Sequence, residues 1–267
     1  MQNFEQSFSK KSNNRLIQGL NILAILAWGI LLLKYGFTGQ YQLLIHPNYF
    51  YLMMLTGIIL IILSLIKTQQ LFKTPINTFD NEQHLTIFSP GIGSSLLLIS
   101  AIAGLIISPT VLTSSTALQR GVTETLPLTR YQPQTFITQT KPEERSLIEW
   151  VRTLNAYPEP DAYTGQKAKI TGFVITLPEL PPNYLLLSRF ILTCCAVDAY
   201  PVFIPIELPA DSQPYTADTW LEIEGTMTTQ NLKIRDRSDA PQEKRRLVLQ
   251  AKKIKPIPTP KNPYSYQ

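Results

Sequence analysis

The chain has 267 residues, only 16% of them charged, with a formal net charge of +5. Soluble globular chains carry about 25% charged residues, so this is not the composition of a uniformly soluble protein. The deficit lies in residues 1–120, where Lys10, Lys11, Arg15, Lys34, Lys67, Lys73 and Arg120 face only Glu5, Asp80 and Glu82; the remainder is nearly balanced and has no basic stripe, which argues against a nucleic-acid partner.

The first apolar run, residues 16–33, contains no charge. As a helix it would reach about 27 Å, close to the ~30 Å hydrocarbon core of a bilayer. The second, residues 49–66, is bracketed by Pro47 and Lys67 and opens on aromatic residues, as an interfacial belt does. The third, residues 91–111, is interrupted by Gly93, Ser94, Ser95, Ser100, Gly104 and Ser108. Small residues allow close helix packing in lipid. The pattern predicts three transmembrane helices within residues 1–112. Lys10, Lys11 and Arg15 resemble the basic start of a signal peptide. The length of the apolar run, the lack of an A-x-A-like site after it and the early second span argue against cleavage. Basic residues favour the cytoplasmic side. The N-terminal segment carries three and the second loop carries Lys67 and Lys73, against Lys34 alone in the first loop. The expected protein is therefore a multi-pass cell-membrane protein with an extracytoplasmic C-terminal domain. No charge lies inside the three spans, so a pore made by this chain alone is not expected.

Residues 113–140 are rich in Thr and Ser, hold Pro127 and Pro133, lack a sustained period, and read as a linker. Residues 141–267 read as a β domain with a leading amphipathic helix. Pro142 opens that helix, with Thr140 as N-cap and Leu147, Ile148, Val151 and Leu154 on one face. Five strands follow at about residues 167–175, 184–194, 201–208, 219–228 and 246–254. Ala168 and Ile170 point inward in the first, and Pro201 and Pro205 suggest that the third lies partly at an edge. Residues 229–244 read as an exposed loop or hairpin tip. Five short strands suggest a small OB-like barrel, with a β-sandwich as the alternative.

The two cysteines of the chain are adjacent, in Thr193-Cys194-Cys195-Ala196-Val197-Asp198. Three readings are open. Both can be small buried groups at a strand end; they can be a redox pair or a reactive thiol; or their thiolates, with Asp198, can contact a metal or ligand. Neighbouring side chains on a regular strand face opposite ways, so the sulfurs converge only where the strand breaks. Arg189, inside an apolar strand, is a further candidate ligand contact or a paired structural charge. His46 and His84 fall in loops assigned to opposite sides of the membrane, and no C-x-x-C or H-x-x-x-H spacing accompanies the cysteines. Gly91-Ile92-Gly93 follows no strand, so it is not a nucleotide loop, and no nucleophile elbow is present. Neither an enzymatic activity nor a cofactor is indicated.

The segments His46-Pro47-Asn48-Tyr49-Phe50 and Ala117-Leu118-Gln119-Arg120-Gly121, the run from Ser188-Arg189-Phe190 through Thr193-Cys194-Cys195-Ala196-Val197-Asp198-Ala199-Tyr200 to Pro201-Val202, Asp218-Thr219-Trp220-Leu221-Glu222-Ile223-Glu224-Gly225, and Asn262-Pro263-Tyr264 resemble the YcgQ-like family of permease subunits. The resemblance covers nearly the whole chain. It implies a bacterial membrane protein paired with a larger predicted permease, an accessory subunit whose β domain gates, senses or contacts a ligand; it names no substrate. Some members carry a His-rich loop after the second span, where this chain has only His84. The other reading of the residues is a membrane-anchored extracytoplasmic protein that handles thiols or metals.

Overall fold

The computed structural model describes residues 2–73, 91–123, 140–234 and 242–266. His84, most of the second loop, and Pro127 and Pro133 lie outside the described residues. The chain divides into two compact units, Met1–Thr110 and Val111–Gln267.

The first unit contains α1 (Gln2–Thr38), α2 (Phe50–Lys73) and α3 (Ile92–Ile106). Two stretches, Arg15–Thr38 and Pro47–Lys73, are long and apolar enough to cross a membrane. On α2, Leu52, Leu55, Ile58, Ile59, Ile62 and Leu65 are exposed. A contiguous apolar face of that kind suits lipid far better than water. Helices α1 and α2 approach closely at two glycines. A Cβ on Gly29 would lie 2.8 Å from Ile61 Cγ1 and 3.1 Å from Gly57 O, and one on Gly57 would meet Leu33 at 3.0 Å. With little hydrophobic drive between helices in lipid, such close van der Waals contact is what holds them. Helix α3 lies on α1 through polar side chains that reach its carbonyls: Trp28 Nε1 donates to Leu97 O at 2.9 Å, Lys34 Nζ to Leu105 O at 2.7 Å and Tyr35 Oη to Gly104 O at 2.7 Å.

The third apolar segment is shorter than expected. Helix α3 has 15 residues, which is about 22 Å, and Ile107 is already extended. Pro109 explains the stop, since proline disfavours helical backbone at the preceding residue and removes a donor. His46 plays a structural part, because its Nδ1 accepts the Asn48 N–H at 3.1 Å and caps the 3-10 turn Pro47–Tyr49.

The second unit holds α4 (Ser114–Arg120), α5 (Leu147–Ala156) and the strands β1 (Lys167–Ile175), β2 (Tyr184–Leu192), β3 (Tyr200–Glu207), β4 (Trp220–Ile234), β5 (Gln242–Pro256) and β6 (Tyr264–Tyr266). All six strands form one mixed sheet, in the order β1-β4-β5-β3-β2-β6, with β1 also paired to β2; a two-sheet sandwich is not formed. The sheet is curled but not evenly closed into a barrel. The β1–β2 seam has three residue pairs and the β3–β5 seam two, whereas β4 and β5 pair along almost their full length. β1 alternates at its start, Ala168 and Ile170 inward, and is then buried on both sides from Gly172 on. The core gathers Trp150 and Val151 of α5 with Ile170, Leu187, Ile191, Ile204, Ile223 and Leu249. Each such aliphatic side chain contributes roughly 1.5–3 kcal/mol on burial.

Several local expectations are corrected. The amphipathic helix starts at Leu147, not Pro142. Ser146 caps it in a capping box with Glu149, worth ~1 kcal/mol, while Pro142–Glu144 forms a separate 3-10 turn. β3, by contrast, is partly an edge strand as its prolines suggest: it pairs with β2 along its length but with β5 only at Ile206 and Glu207, although it is buried nearly throughout. Its prolines are tolerated because Pro201 turns its carbonyl away from β2, toward the Thr123 N–H at 3.4 Å, and Pro205 shares that side by the two-residue period. Both precede the short β5 pairing at Ile206 and Glu207. Most of the stretch 229–244 is strand, paired down to Ile234 and Gln242. Arg246 is buried there, with Nε donating to Leu232 O at 3.3 Å. The hairpin tip, 235–241, lies outside the described residues.

The supposed linker is part of the domain at its start. Ser114 N–H donates to Asp218 Oδ1 at 2.5 Å, Leu112 N–H to Tyr264 Oη at 2.8 Å, and Thr123 bridges Val202. A fragment 111–267 should therefore melt cooperatively and at a higher temperature than a fragment 141–267, read by circular dichroism. Equal melting of the two would remove 111–123 from the fold. Within either fragment, Ile223→Asp should cost roughly 3–5 kcal/mol by burying an unpaired charge.

Candidate functional site

β2 stops at Leu192 and β3 begins at Tyr200, so the two cysteines sit in the turn between them. Asp198 shapes this turn. Its Oδ2 accepts the Cys194 N–H at 2.8 Å, its Oδ1 accepts the Cys195 N–H at 3.1 Å, and its own N–H donates to Cys195 O at 3.1 Å. A short carboxylate that reaches back to nearby backbone N–H groups offers the chain an alternative to the ladder. With strand alternation ended, the two sulfurs face the same way and lie 3.6 Å apart. The expectation that convergence needs a broken strand holds at this point.

Neither cysteine is a core residue. Cys194 is exposed and Cys195 half-buried, and both are free thiols. The reading of both as buried packing groups is therefore corrected: the core ends with Leu192, and the turn carries the next residues outward. Val197, at the turn, is 85% exposed, so the loop does not fold back onto the sheet.

The electrostatics follow from the turn. The Cys194 thiol hydrogen-bonds to the Asp198 carboxylate and also to Cys195, and the negative charge beside it pushes its pKa up to about 12. Burial works against the Asp198 carboxylate. Hydrogen bonds from the Cys194 thiol and from the backbone N–H groups of Cys194, Cys195 and Thr193 outweigh it and hold the carboxyl below its ordinary range. The ligand atoms of Cys194, Cys195 and Asp198 all lie within 4.8 Å of one another. A donor set of two sulfurs and one carboxylate suits soft or borderline cations.

Arg189 is not brought into this cluster. Its Nη2 donates to Asn262 O at 2.9 Å, its guanidinium lies 5.6 Å from the centre of the Trp220 ring, and burial lowers its pKa. Its Nε is buried without a hydrogen-bond partner among the described residues. These contacts tie β2 to β4 and to the segment before β6. A different arginine serves the thiol turn. Arg120, at the end of α4, donates from Nη1 to Ala196 O at 2.9 Å and to Ala199 O at 2.5 Å. Arg120 lies in the Ala117-Leu118-Gln119-Arg120-Gly121 segment already singled out in the sequence, but its role is not legible there because its acceptors lie 76 and 79 residues further along the chain.

Two family descriptions match the chain: the DUF1980 N-terminal domain over residues 20–123 and the DUF1980 C-terminal domain over residues 130–267. No curated protein matches it, and no solved structure does.

The raised thiol pKa has a measurable consequence. In native protein, iodoacetamide should modify Cys194 slowly at about pH 8, with a rate that climbs about tenfold per pH unit without a plateau up to about pH 10, because the thiolate remains a small fraction. Asp198→Asn removes the charge that holds the proton on, so Cys194 should react at least about tenfold faster at about pH 8. A plateau below about pH 9 in the parent protein, or an Asn variant no faster than the parent, contradicts this account.

Proposed function

We propose that this chain, which belongs to the DUF1980 family, is the accessory subunit of a two-component membrane permease, with a β domain outside the cytoplasm that presents a thiol turn to a ligand. The observation that carries the reading is the placement of Cys194, Cys195 and Asp198 together at the surface, on a domain fused to membrane-type helices. Cysteines outside the core, one exposed and one half-buried, contribute little to stability, so their reactivity is the better explanation of their presence.

The shortness of α3 supports a partner. A helix of about 22 Å cannot cover a ~30 Å hydrocarbon core alone, and non-helical backbone at membrane depth is tolerated only where protein covers it. Ile99, Ile106 and Ile107 are exposed apolar groups that a larger membrane protein would cover. With α3 completed in this way as a third crossing, the basic residues of the N-terminal segment and of Lys67 and Lys73 support a β domain outside the cytoplasm. The circuit of pairings β1–β2–β3–β5–β4 and back to β1 supports a partly open OB-type barrel. That likeness assigns no function by itself.

A second reading rests on the same thiol turn: a membrane-anchored protein that handles thiols or metals without a permease. Purification of the full chain from native membranes separates the two. The permease reading expects a polytopic membrane protein to co-purify in fixed ratio, and recovery of the chain alone at native abundance overturns it. A reporter active only outside the cytoplasm should be active when fused after Gln267 and silent after Lys73. Activity after Lys73 with silence after Gln267 inverts the orientation.

A further inference from the structure

The donor chemistry of the thiol turn narrows the ligand class. Two sulfurs 3.6 Å apart, each about 2.3 Å from a shared ion, subtend about 103° at that ion, close to the tetrahedral angle. Linear two-coordination would need the sulfurs about 4.6 Å apart. Calcium and magnesium are served by six or more oxygens, not by thiolates. The third donor is at hand, since the Asp198 carboxylate lies within 4.8 Å of both sulfurs. It accepts the backbone N–H groups of Thr193, Cys194 and Cys195, which leaves roughly one of its four lone-pair positions for an ion once the Cys194 thiol has lost its proton.

The turn is also held in shape from both sides. Asp198 fixes the backbone of Cys194 and Cys195, and Arg120 fixes the carbonyls of Ala196 and Ala199. A donor set placed in advance by supporting hydrogen bonds loses less freedom when it binds. From this geometry we infer that Cys194, Cys195 and Asp198 bind a divalent thiophilic cation of the zinc class in an open tetrahedral site, whose fourth position takes a ligand from outside the chain. Closed four-ligand sites are structural, and sites with an open position exchange or activate what they bind. The exposure of Cys194 leaves that position accessible to water or to a donor on a partner protein.

Binding forms two metal–sulfur bonds and one metal–oxygen bond and releases both thiol protons to solvent; no electrons move. Affinity therefore rises with pH. Arg120 acts as a positioning residue, because it touches the turn and not the ion.

The inference rests on the reading of this turn as a ligand-contact site, and its test is independent of any permease. The full chain, reduced, metal-free and in detergent, is titrated with Co2+ alone. One equivalent should give a near-ultraviolet sulfur-to-cobalt charge-transfer band together with the intense visible bands of tetrahedral cobalt, and Zn2+ should bleach both. Cys194→Ser and Cys195→Ser should each lose about half of the charge-transfer intensity, and the double variant all of it, and each should weaken Zn2+ binding beyond the roughly 10–100-fold that an outer-shell loss costs. Arg120→Met should weaken binding about tenfold while the cobalt spectrum keeps its form. Carboxamidomethylation of the native thiols should abolish the bands without any change of sequence, which removes misfolding as an explanation. A six-coordinate cobalt spectrum without sulfur character, or Ser variants and alkylated protein that bind like the parent, overturns the inference. If cobalt is silent while partner co-purification and dependence on both thiols persist, the metal assignment falls and the thiol-turn reading stands. An intact cobalt site in a chain that recovers no partner overturns the permease reading alone.

Discussion

At Phe173, β1 is in register with Trp220 of β4 on one side and with Ser188 of β2 on the other. Up to that point it pairs with β4, and beyond it with β2. The switch requires the backbones of β1 and β2 to come close, and Gly172 permits it: a Cβ there would lie 2.5 Å from Ser188 O. Phe173 stacks on Phe190 with ring centres 5.5 Å apart and tilts against Trp220 at 5.9 Å, so the aromatic contacts secure the same junction. The curl of the sheet around α5 follows from this exchange of partners. So does the course of β2, whose last residue delivers the chain to the thiol turn.

The turn itself is governed by electrostatics more than by packing. One carboxylate satisfies three N–H groups that strand pairing has left behind, and in doing so it opposes ionisation of the thiol next to it. The same group thus opposes ionisation of Cys194 and, under the inferred metal site, would serve as a donor to the cation. A bound divalent cation reverses the local balance, because a coordinating thiol is deprotonated outright. Protection of the free thiol is therefore compatible with the inferred cation site.

In the helical unit, different physics applies. Gly29 and Gly57 let two apolar helices touch, while Trp28, Lys34 and Tyr35 donate to carbonyls of α3. Hydrogen bonds of this kind contribute about 0.6–2 kcal/mol in lipid. They hold a helix too short to span by itself, which is consistent with a unit completed by another protein.

The strands were largely legible in the residues. β1 matches its expected bounds to the residue, and β2, β3 and the start of β4 lie close to their expected positions, because short alternating or continuous apolar runs are local properties. The apolar runs of α1 and α2 were equally plain, since lipid-scale hydrophobicity needs no partner to be recognised. The cysteine pair and Asp198 stood out as candidates from their types and spacing. Tertiary structure decided the rest. The strand order, the short β3–β5 seam beyond the two prolines, and the three-residue β6 beside β2 depend on pairings between distant segments. Arg120 entered the site, and Arg189 left it, through contacts more than 70 residues apart. Whether the thiols pack or protrude was likewise undecidable from composition. Side-chain identity sets what a residue can bind, but burial and partner are set by where the chain returns to itself.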